Sequence, residues 1–333
     1  MNQTQSVARP IPPGTTGIPG VLVGHGTYRQ ALTGCTVVLL PAAGPYNVFA
    51  TGGAVSTRQV SALVPNHSLP VADALMVAGG SAFGLDSTGG ALSWLEQHGR
   101  GIRVGSMQVP SVPSAAVFDL FVGDGTVRPD QDLGRLACED AKDSGIAEGR
   151  VGAGTGATVG KALGLARAAW GGVGMAGVEL AGGVVVTAVA VVNAFGNVHD
   201  PLTGAFVSGA VADDGAPADA GELVMAGLMA TRLKALSNTT IGLVVTNGAL
   251  DNAGCSRAAT LSGQALANCI RPCQTMVDGD AVFVASAGDR EVEPHQVGVA
   301  GSLALSRAII RAVTEGVRDG PPSPGAMTEA EDE

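Results

Sequence analysis

The stretch Ser237-Asn-Thr-Thr-Ile-Gly-Leu-Val-Val-Thr-Asn247 decides how this chain is read. Ile241, Leu243, Val244 and Val245 are apolar, and Ile, Val and Thr favour strands, so the pattern predicts a buried β-strand over residues 239–246. An amide and two hydroxyls, Asn238-Thr239-Thr240, stand at its start. One reading is an ordinary turn or cap. The other is chemical. A hydroxyl on residue i+1 can attack the carbonyl of residue i when the backbone is held in a tight turn. This N→O acyl shift gives an ester that water cleaves. The released segment then begins with a Thr whose α-amine, with a pKa of about 8, can serve as base to its own hydroxyl. Asn-Thr-Thr is also a glycosylation sequon, which matters only in a secretory compartment.

The rest of the chain sets the context. Of 333 residues, 46% are hydrophobic and 14% charged, enough for an ample globular core. Aromatics are only 3% while Gly reaches 50 residues, so small side chains must fill much of that core. The net charge of −10 argues against a nucleic-acid partner, which would call for a basic stripe. Only three Lys occur (Lys142, Lys161 and Lys234), so a Lys inside an uncharged motif stands out. The five Cys follow no CxxC spacing and read as buried reduced thiols. The first twenty residues lack the apolar run of a signal peptide, and a cytoplasmic location is expected. Residues 172–195 form the least polar region. Glu179 and Ala181-Gly182-Gly183 interrupt it, which suits two strands joined by a turn rather than a membrane helix of about 20 unbroken apolar residues.

Residues 1–17 read as a flexible arm, 18–319 as a single domain and 320–333 as a disordered acidic tail. Strands are expected at 34–40, 74–79, 115–119, 183–192, 239–246 and 280–286. Helices are expected at 82–98, 131–146, 220–236, 254–269 and 296–316. Long apolar strands with small-residue helices suggest sheets covered on their outer faces by helices.

Several chemistries are screened out: the chain holds no HExxH, no GxSxG elbow and no zinc spacing. The loop Gly152–Lys161 is loosely like a dinucleotide fingerprint. It has no clear preceding strand, and as a phosphate loop it is one residue short and lacks Ser or Thr after Lys161. A Gly-rich loop bringing N–H groups and Lys161 to a small pocket is the other reading. Gly79-Gly80-Ser81-Ala-Phe83-Gly-Leu-Asp86 follows a strand and opens a helix, where unpaired N–H groups can hold an oxyanion. Its plainer alternative is a strand-to-helix turn capped by Ser81. Asn193 ends a strand, as a turn residue or as an amide for an oxyanion. Asp278 and Asp280 open another strand, as solvated acids or as a pair orienting a nucleophile. No third ligand makes them a metal site.

Taken in order, these motifs resemble one family over nearly the whole chain. It is the self-processing L-aminopeptidase/D-amidase-esterase group (DmpA-type peptidases), which includes β-peptidyl aminopeptidases and nylon-oligomer hydrolases. The resemblance runs through Gly20–Gly26, Thr33–Val38, Gly79–Asp86, Phe118-Asp-Leu, Gly152–Lys161, Val192–Gly196, Asn238–Asn247, Ile270-Arg-Pro and Asp278-Gly-Asp280. It implies a four-layer αββα sandwich of the DmpA/ornithine acetyltransferase-like type, resembling Ntn hydrolases with different connectivity. It implies cleavage between Asn238 and Thr239 into an α chain 1–238 and a β chain 239–333. A homo-oligomer, often a tetramer of αβ pairs, and the absence of any cofactor are implied as well. Thr239 matches the nucleophile, Asn193 the oxyanion Asn, Lys161 a catalytic-site Lys, and Asp278 and Asp280 the acidic pair of the Thr-type members. Gly79, Gly80, Ser81, Phe83 and Asp86 fall where the pocket is lined, with N–H groups near Gly79-Gly80 joining Asn193 at the oxyanion. Asp86 is a candidate amine anchor or simply an acid at a helix start. Phe83 stands where some members carry Tyr, and Gly52–Gln59 departs from the family's Gly-Thr-Arg-Glu form while keeping Arg58. The expected substrate is a small peptide, amide or ester. Three alternatives remain: an acyltransferase like the ornithine acetyltransferases, a non-catalytic binding protein on the same fold, and nucleotide binding by the loop 152–161.

Overall fold

The computed structural model describes residues 8–63, 70–227 and 238–315. The strands of its largest sheet are β1 (Ala8–Pro10), β2 (Leu22–Tyr28), β3 (Thr33–Ala50), β4 (Thr57–Arg58), β5 (Val71–Ala78), β6 (Ser114–Ala116), β7 (Gly172–Leu180), β8 (Val185–Asn193), β9 (Thr239–Gly248) and β10 (Ala281–Arg290). The helices are α1 (Ser81–Gly84), α2 (Ser87–Gln97), α3 (Gln131–Asp140), α4 (Ala220–Met225), α5 (Asn252–Ser262), α6 (Gln264–Cys269) and α7 (Pro294–Thr314).

The strands run in the order β1-β7-β8-β9-β10-β3-β5-β6-β4, with β2 on the other side of β3. β3 is the hinge of this arrangement. Its first half pairs with β2 and β5, its second half, from Tyr46 to Ala50, pairs with β10, and Pro41-Ala42-Ala43 between them are exposed. One long strand thus belongs to two layers, which fold face to face.

Period-two alternation shows how the layers stack. On β8, Val185, Val189 and Val191 join Ile241, Leu243 and Val245 of β9 and Phe283 of β10 in a core that also holds Val23, Val38, Leu75 and Val77 of the other layer. The alternate residues Val186, Ala188, Ala190 and Val192 face outward onto α5, α6 and α7. Behind the second layer, Cys35, Val37, Leu39 and Met76 pack on Ala91 and Leu95 of α2 and Leu133 and Ala137 of α3. These three apolar layers between four structural ones are the αββα sandwich that the motifs implied.

The richness in Gly and Ala has a local cause. A Cβ on Gly174 of β7 would run into the Ala308 carbonyl of α7, and one on Gly242 of β9 would meet Leu305 at 2.8 Å. The helix lies that close because the strand residues beneath it have no side chain. α7 is long and apolar enough to cross a membrane, yet its apolar side is buried against β7 and β8. A capping box between Glu293 and Gln296 and Pro294 in its first turn fix its start.

Several element boundaries differ from the sequence expectation. Residues 8–17 are not part of an arm: Ala8–Pro10 pair with β7, the Ile11 N–H donates to Gly177, and Thr16 is buried. The helix expected over 82–98 is broken into α1 and α2, and that over 254–269 breaks at Gly263, where a side chain would strike Phe49. α3 stops at Asp140, because the chain must turn there to pair Lys142 with Val23. The region 172–195 forms β7, a short turn and β8. Cys35, Cys138, Cys255 and Cys269 are free and buried, and Cys273 is half-buried. The acidic tail 320–333, the first seven residues and most of the helix expected over 220–236 lie outside the described residues.

Gly174→Val should test the close approach of α7. Overpacking of this kind costs about 1–3 kcal/mol, more where backbone is struck. A clear fall in the thermal unfolding midpoint, with Ala at the same position intermediate, is expected.

Candidate active site

The register of the central strands builds the site. Asn193, the last residue of β8, lies directly opposite Thr239, the first of β9. Both continue the alternation of Val189, Val191, Ile241 and Leu243, so their side chains project between the two sheets at the sheet end. The parallel partner β10 is preceded by Asp278-Gly279-Asp280, and Asn238 bridges to Asp278. The loop after Thr158 supplies Lys161. All of these side chains are buried.

Lys161 donates from Nζ to both the backbone oxygen and Oδ1 of Asn193, each at 2.9 Å. Thr158 N–H gives Oδ1 a second donor at 3.0 Å, and Asn193 Nδ2 donates to Phe118 O at 2.9 Å. These bonds fix the orientation of the amide and leave its second Nδ2 hydrogen for an acceptor in the site. Burial pushes the Lys161 ammonium down to about 7, and the charges of Asp278, Asp119 and Asp280 oppose that fall. A lysine near neutrality is poised to accept a proton.

The acids are structurally committed as well. Asp278 accepts from Thr275 Oγ1 at 2.6 Å, Thr275 N at 3.1 Å and Phe195 N at 3.3 Å. Asp280 accepts from Thr240 N at 2.6 Å and Gln274 N at 2.9 Å, which pins the residue after Thr239. Burial raises the carboxyl of Asp278. It also raises Asp280, to about 7, with the charge of Asp278 adding to the effect. A strap holds their turn: Thr51 N donates to Asp280 O, Gly53 N to Thr275 O and Ala54 N to Asp278 O. That close approach explains Gly52-Gly53, since a Cβ on either would collide with the backbone of residues 275–278.

The peptide bond in question is held from both sides. Asn238 N donates to Val277 O at 2.6 Å, and Gly279 N donates to Asn238 O at 2.5 Å. Thr239 Oγ1 lies 3.1 Å from where a Cβ on Gly279 would sit. The carbonyl between Asn238 and Thr239 thus has a backbone donor in place, where charge would develop on attack.

Two residues with no assigned role in the sequence reading complete the group. One is Gly279. The other is Asp119, which accepts from Thr33 Oγ1 at 2.7 Å and Gly80 N at 2.6 Å. Burial raises its carboxyl to about 6. Asp119 shares a narrow cavity with Phe118, Thr158, Lys161 and Asn238. An acid directly after the apolar run Ala115–Phe118 was the available signal.

The Gly79-Gly80-Ser81 turn differs from expectation. Gly79 N donates to Gly34 O, Gly80 N to Asp119 and Ser81 N to Val117 O, so these N–H groups are not free for an oxyanion. Gly80 rather than Ser81 stands at the helix cap, and Ser81 itself is left-handed, with φ of 55°. Phe83 is exposed under the Arg128 guanidinium, and Asp86 is exposed and accepts from Gln131 Nε2 at 3.3 Å. Both make these contacts on the outer helical layer rather than with the Thr239 group. Arg58 donates to Leu85 O, and Gln59 Oε1 accepts from Val112 N, a bond an acid could equally accept. The loop 152–161 also spends its N–H groups internally: Gly152 on Thr27, Ala153 on Thr36, Thr158 on Asn193, Gly160 on Gly196 and Lys161 on Phe195. It delivers Lys161 and is no phosphate cradle.

A cavity of about 660 Å³ lies on the outer side of α7 beside Ile11, Leu202 and Arg307. Its walls carry none of the Thr239 group, so size does not mark the site here.

With only three lysines, ζ-¹⁵N labelling can follow Lys161 directly. In the uncut Thr239→Ala chain its titration is expected near 7. Asp119→Asn or Asp280→Asn should move it lower, because each carboxylate raises it.

A model of peptidase family S58 matches residues 14–322. An uncharacterized aminopeptidase of Mycobacterium tuberculosis is 38% identical over 321 residues, covering 91% of this chain and 90% of its own. A 6-aminohexanoate-oligomer endohydrolase of Kocuria sp. is 30% identical over 306 residues, covering 90% of this chain and 82% of its own. Among solved structures, an L-aminopeptidase D-Ala-esterase/amidase from Ochrobactrum anthropi, described as a variant of the Ntn hydrolase fold, aligns with a TM-score of 0.68 at 16% identity. That alignment covers 92% of this chain and 88% of the other. A Burkholderia sp. beta-aminopeptidase aligns with a TM-score of 0.67 at 18% identity, with the same coverage.

Proposed function

The chain belongs to peptidase family S58, a peptidase/amidohydrolase enzyme by that membership, and from this premise we propose that it is a self-processing hydrolase with Thr239 as its nucleophile. The observation that carries the reading is the Gly279 N–H bonded to the Asn238 carbonyl, with the Thr239 hydroxyl beside it.

Thr239 Oγ attacks the Asn238 carbonyl carbon, and Gly279 N–H takes the developing oxyanion. The C–N bond breaks, the hydroxyl proton ends on the freed Thr239 amine, and Asn238 is left as an ester on Oγ. Water then cleaves the ester. Lys161, near neutrality and hydrogen-bonded to the residue opposite Thr239, relays the proton. In the mature enzyme the α-amine of Thr239 joins it as base. Asn193 Nδ2 offers its remaining hydrogen to the oxyanion of an incoming amide or ester, and loss of one such donor typically costs about 10²–10³ in rate. Asp280 holds Thr240, while Asp278 and Asp119 set the charge around Lys161. The substrates are short peptides and amino-acid amides and esters, and the enzyme, itself a homo-oligomer, handles them by aminopeptidase, amidase or esterase action.

Intact mass spectrometry under denaturing conditions tests the reading. Two fragments are expected, one ending at Asn238 and one beginning with a free Thr239. The Thr239→Ala chain should remain whole and inactive. An uncut wild-type chain that is stable for days would favour a binding protein, and acyl transfer to added ornithine would favour an acyltransferase.

Processing should also depend on pH. Protonated Lys161 cannot accept a proton, so the cleavage rate of a freshly purified precursor should rise with pH through about 7 and then level. Asp280 titrates in the same range, so the midpoint belongs to the cluster rather than to Lys161 alone. A flat profile between pH 5 and 9 would count against a base in this group.

A further inference from the structure

We propose that the slot filled by Asn238 is the acyl subsite of the mature enzyme. It takes an α-acylamino acyl unit whose N–H donates to the Val277 carbonyl and whose scissile carbonyl accepts from Gly279 N–H. The inference rests on Thr239 being the nucleophile, and it deepens that reading by naming what binds.

The argument is one of chemical identity. Self-cleavage passes through Asn238 esterified to Thr239 Oγ. An acyl-enzyme formed from substrate is also an acyl group esterified to Thr239 Oγ. Hydrolysis of the first ester, in which water adds across the C–O bond to give a carboxylic acid and the free hydroxyl, is the same reaction as hydrolysis of the second. A site that completes one is shaped for the other.

The uncut chain therefore shows how an acyl unit is gripped. Asn238 is fully buried, its backbone N lies 2.6 Å from Val277 O, and its carbonyl O lies 2.5 Å from Gly279 N. Its side-chain Nδ2 also reaches Val277 O, at 3.3 Å. The cavity beside it is walled by Phe121, Val122, Leu165 and Thr158 and measures only about 10 Å³, room for about one water. The slot is full, so the Asn238 carboxylate must withdraw before substrate enters. The slot is sized for a side chain near Asn. It also admits an acylated nitrogen, because Ser237 is joined to Asn238 at that point. A free α-amine is therefore not required.

Three p-nitroanilides test this on the self-processed enzyme: N-acetyl-asparagine, its N-methyl analogue, and the des-amino analogue in which hydrogen replaces the acetamido group. Release of p-nitroaniline is followed alongside p-nitrophenyl acetate, a small ester that needs no such grip. The N-acetyl-asparagine compound is expected to turn over, with kcat/KM at least tenfold above each analogue. Equal rates within twofold across the three would overturn the subsite. So would Thr239-dependent cleavage of p-nitrophenyl acetate with none of the anilides hydrolysed. If neither the ester nor any anilide acylates Thr239, the nucleophile assignment itself falls, and the subsite with it.

Discussion

A single buried lysine is the constraint around which the site is organised. Lys161 has exchanged water for two oxygens of one residue, Asn193, and lies within reach of three buried carboxylates. Ammonium and carboxylate both lose solvation here, and neither loss is tolerable unless the charges face one another or protons are shared. The burial that lowers Lys161 raises Asp119 and Asp280 toward the same range, so the cluster sits close to a change of protonation near neutral pH. The ammonium also orients the Asn193 amide, and the strand register sets Asn193 opposite Thr239. Fold, charge and the position of Thr239 are thereby tied through one hydrogen-bonded pair.

The protonation balance and the backbone geometry divide the chemistry between them. Gly279 N–H, Val277 O and Thr240 N–H are main-chain groups, positioned by the parallel pairing of β9 with β10 and by the strap from residues 51–54. Short of proline, which lacks the N–H, a substitution leaves such groups in place, and they carry no reorganisation cost when charge appears. In the proposed mechanism the titratable side chains set the pH at which the site works.

Much of this was legible in the sequence, and the parts that were not have physical reasons. The apolar runs of β8 and β9 marked two strands, one ending at Asn193 and one beginning at Thr239; only the family resemblance implied a shared site for the two, and the register sets them opposite each other. Lys161 stood out because lysine is so scarce here. The roles of Gly279 and Asp119 stayed hidden. A backbone donor leaves no mark on residue type, and a lone acid between apolar residues reads like many others until its neighbours in space are known. The Gly79-Gly80 turn looked like an anion cradle because sequence cannot show that its N–H groups are already donated. The breaks between α1 and α2 and at Gly263 escaped for a related reason. The break at Gly263 answers to the approach of the distant Phe49 rather than to local propensity.

The strand order gives the Asn238–Thr239 position a property that a loop would not have. β9 lies between β8, which precedes the bond in sequence, and β10, which follows it, and β10 in turn lies against β3. A break at this bond severs the chain without severing the sheet. The downstream piece is an inlay, a pair of parallel strands flanked on both sides by strands of the upstream piece and roofed by its own helices α5, α6 and α7. To part the two pieces, two complete ladders of backbone hydrogen bonds and two apolar layers would have to open together. The downstream piece has no core of its own to fall back on, because its buried apolar side chains lie in the two layers it shares with the upstream piece.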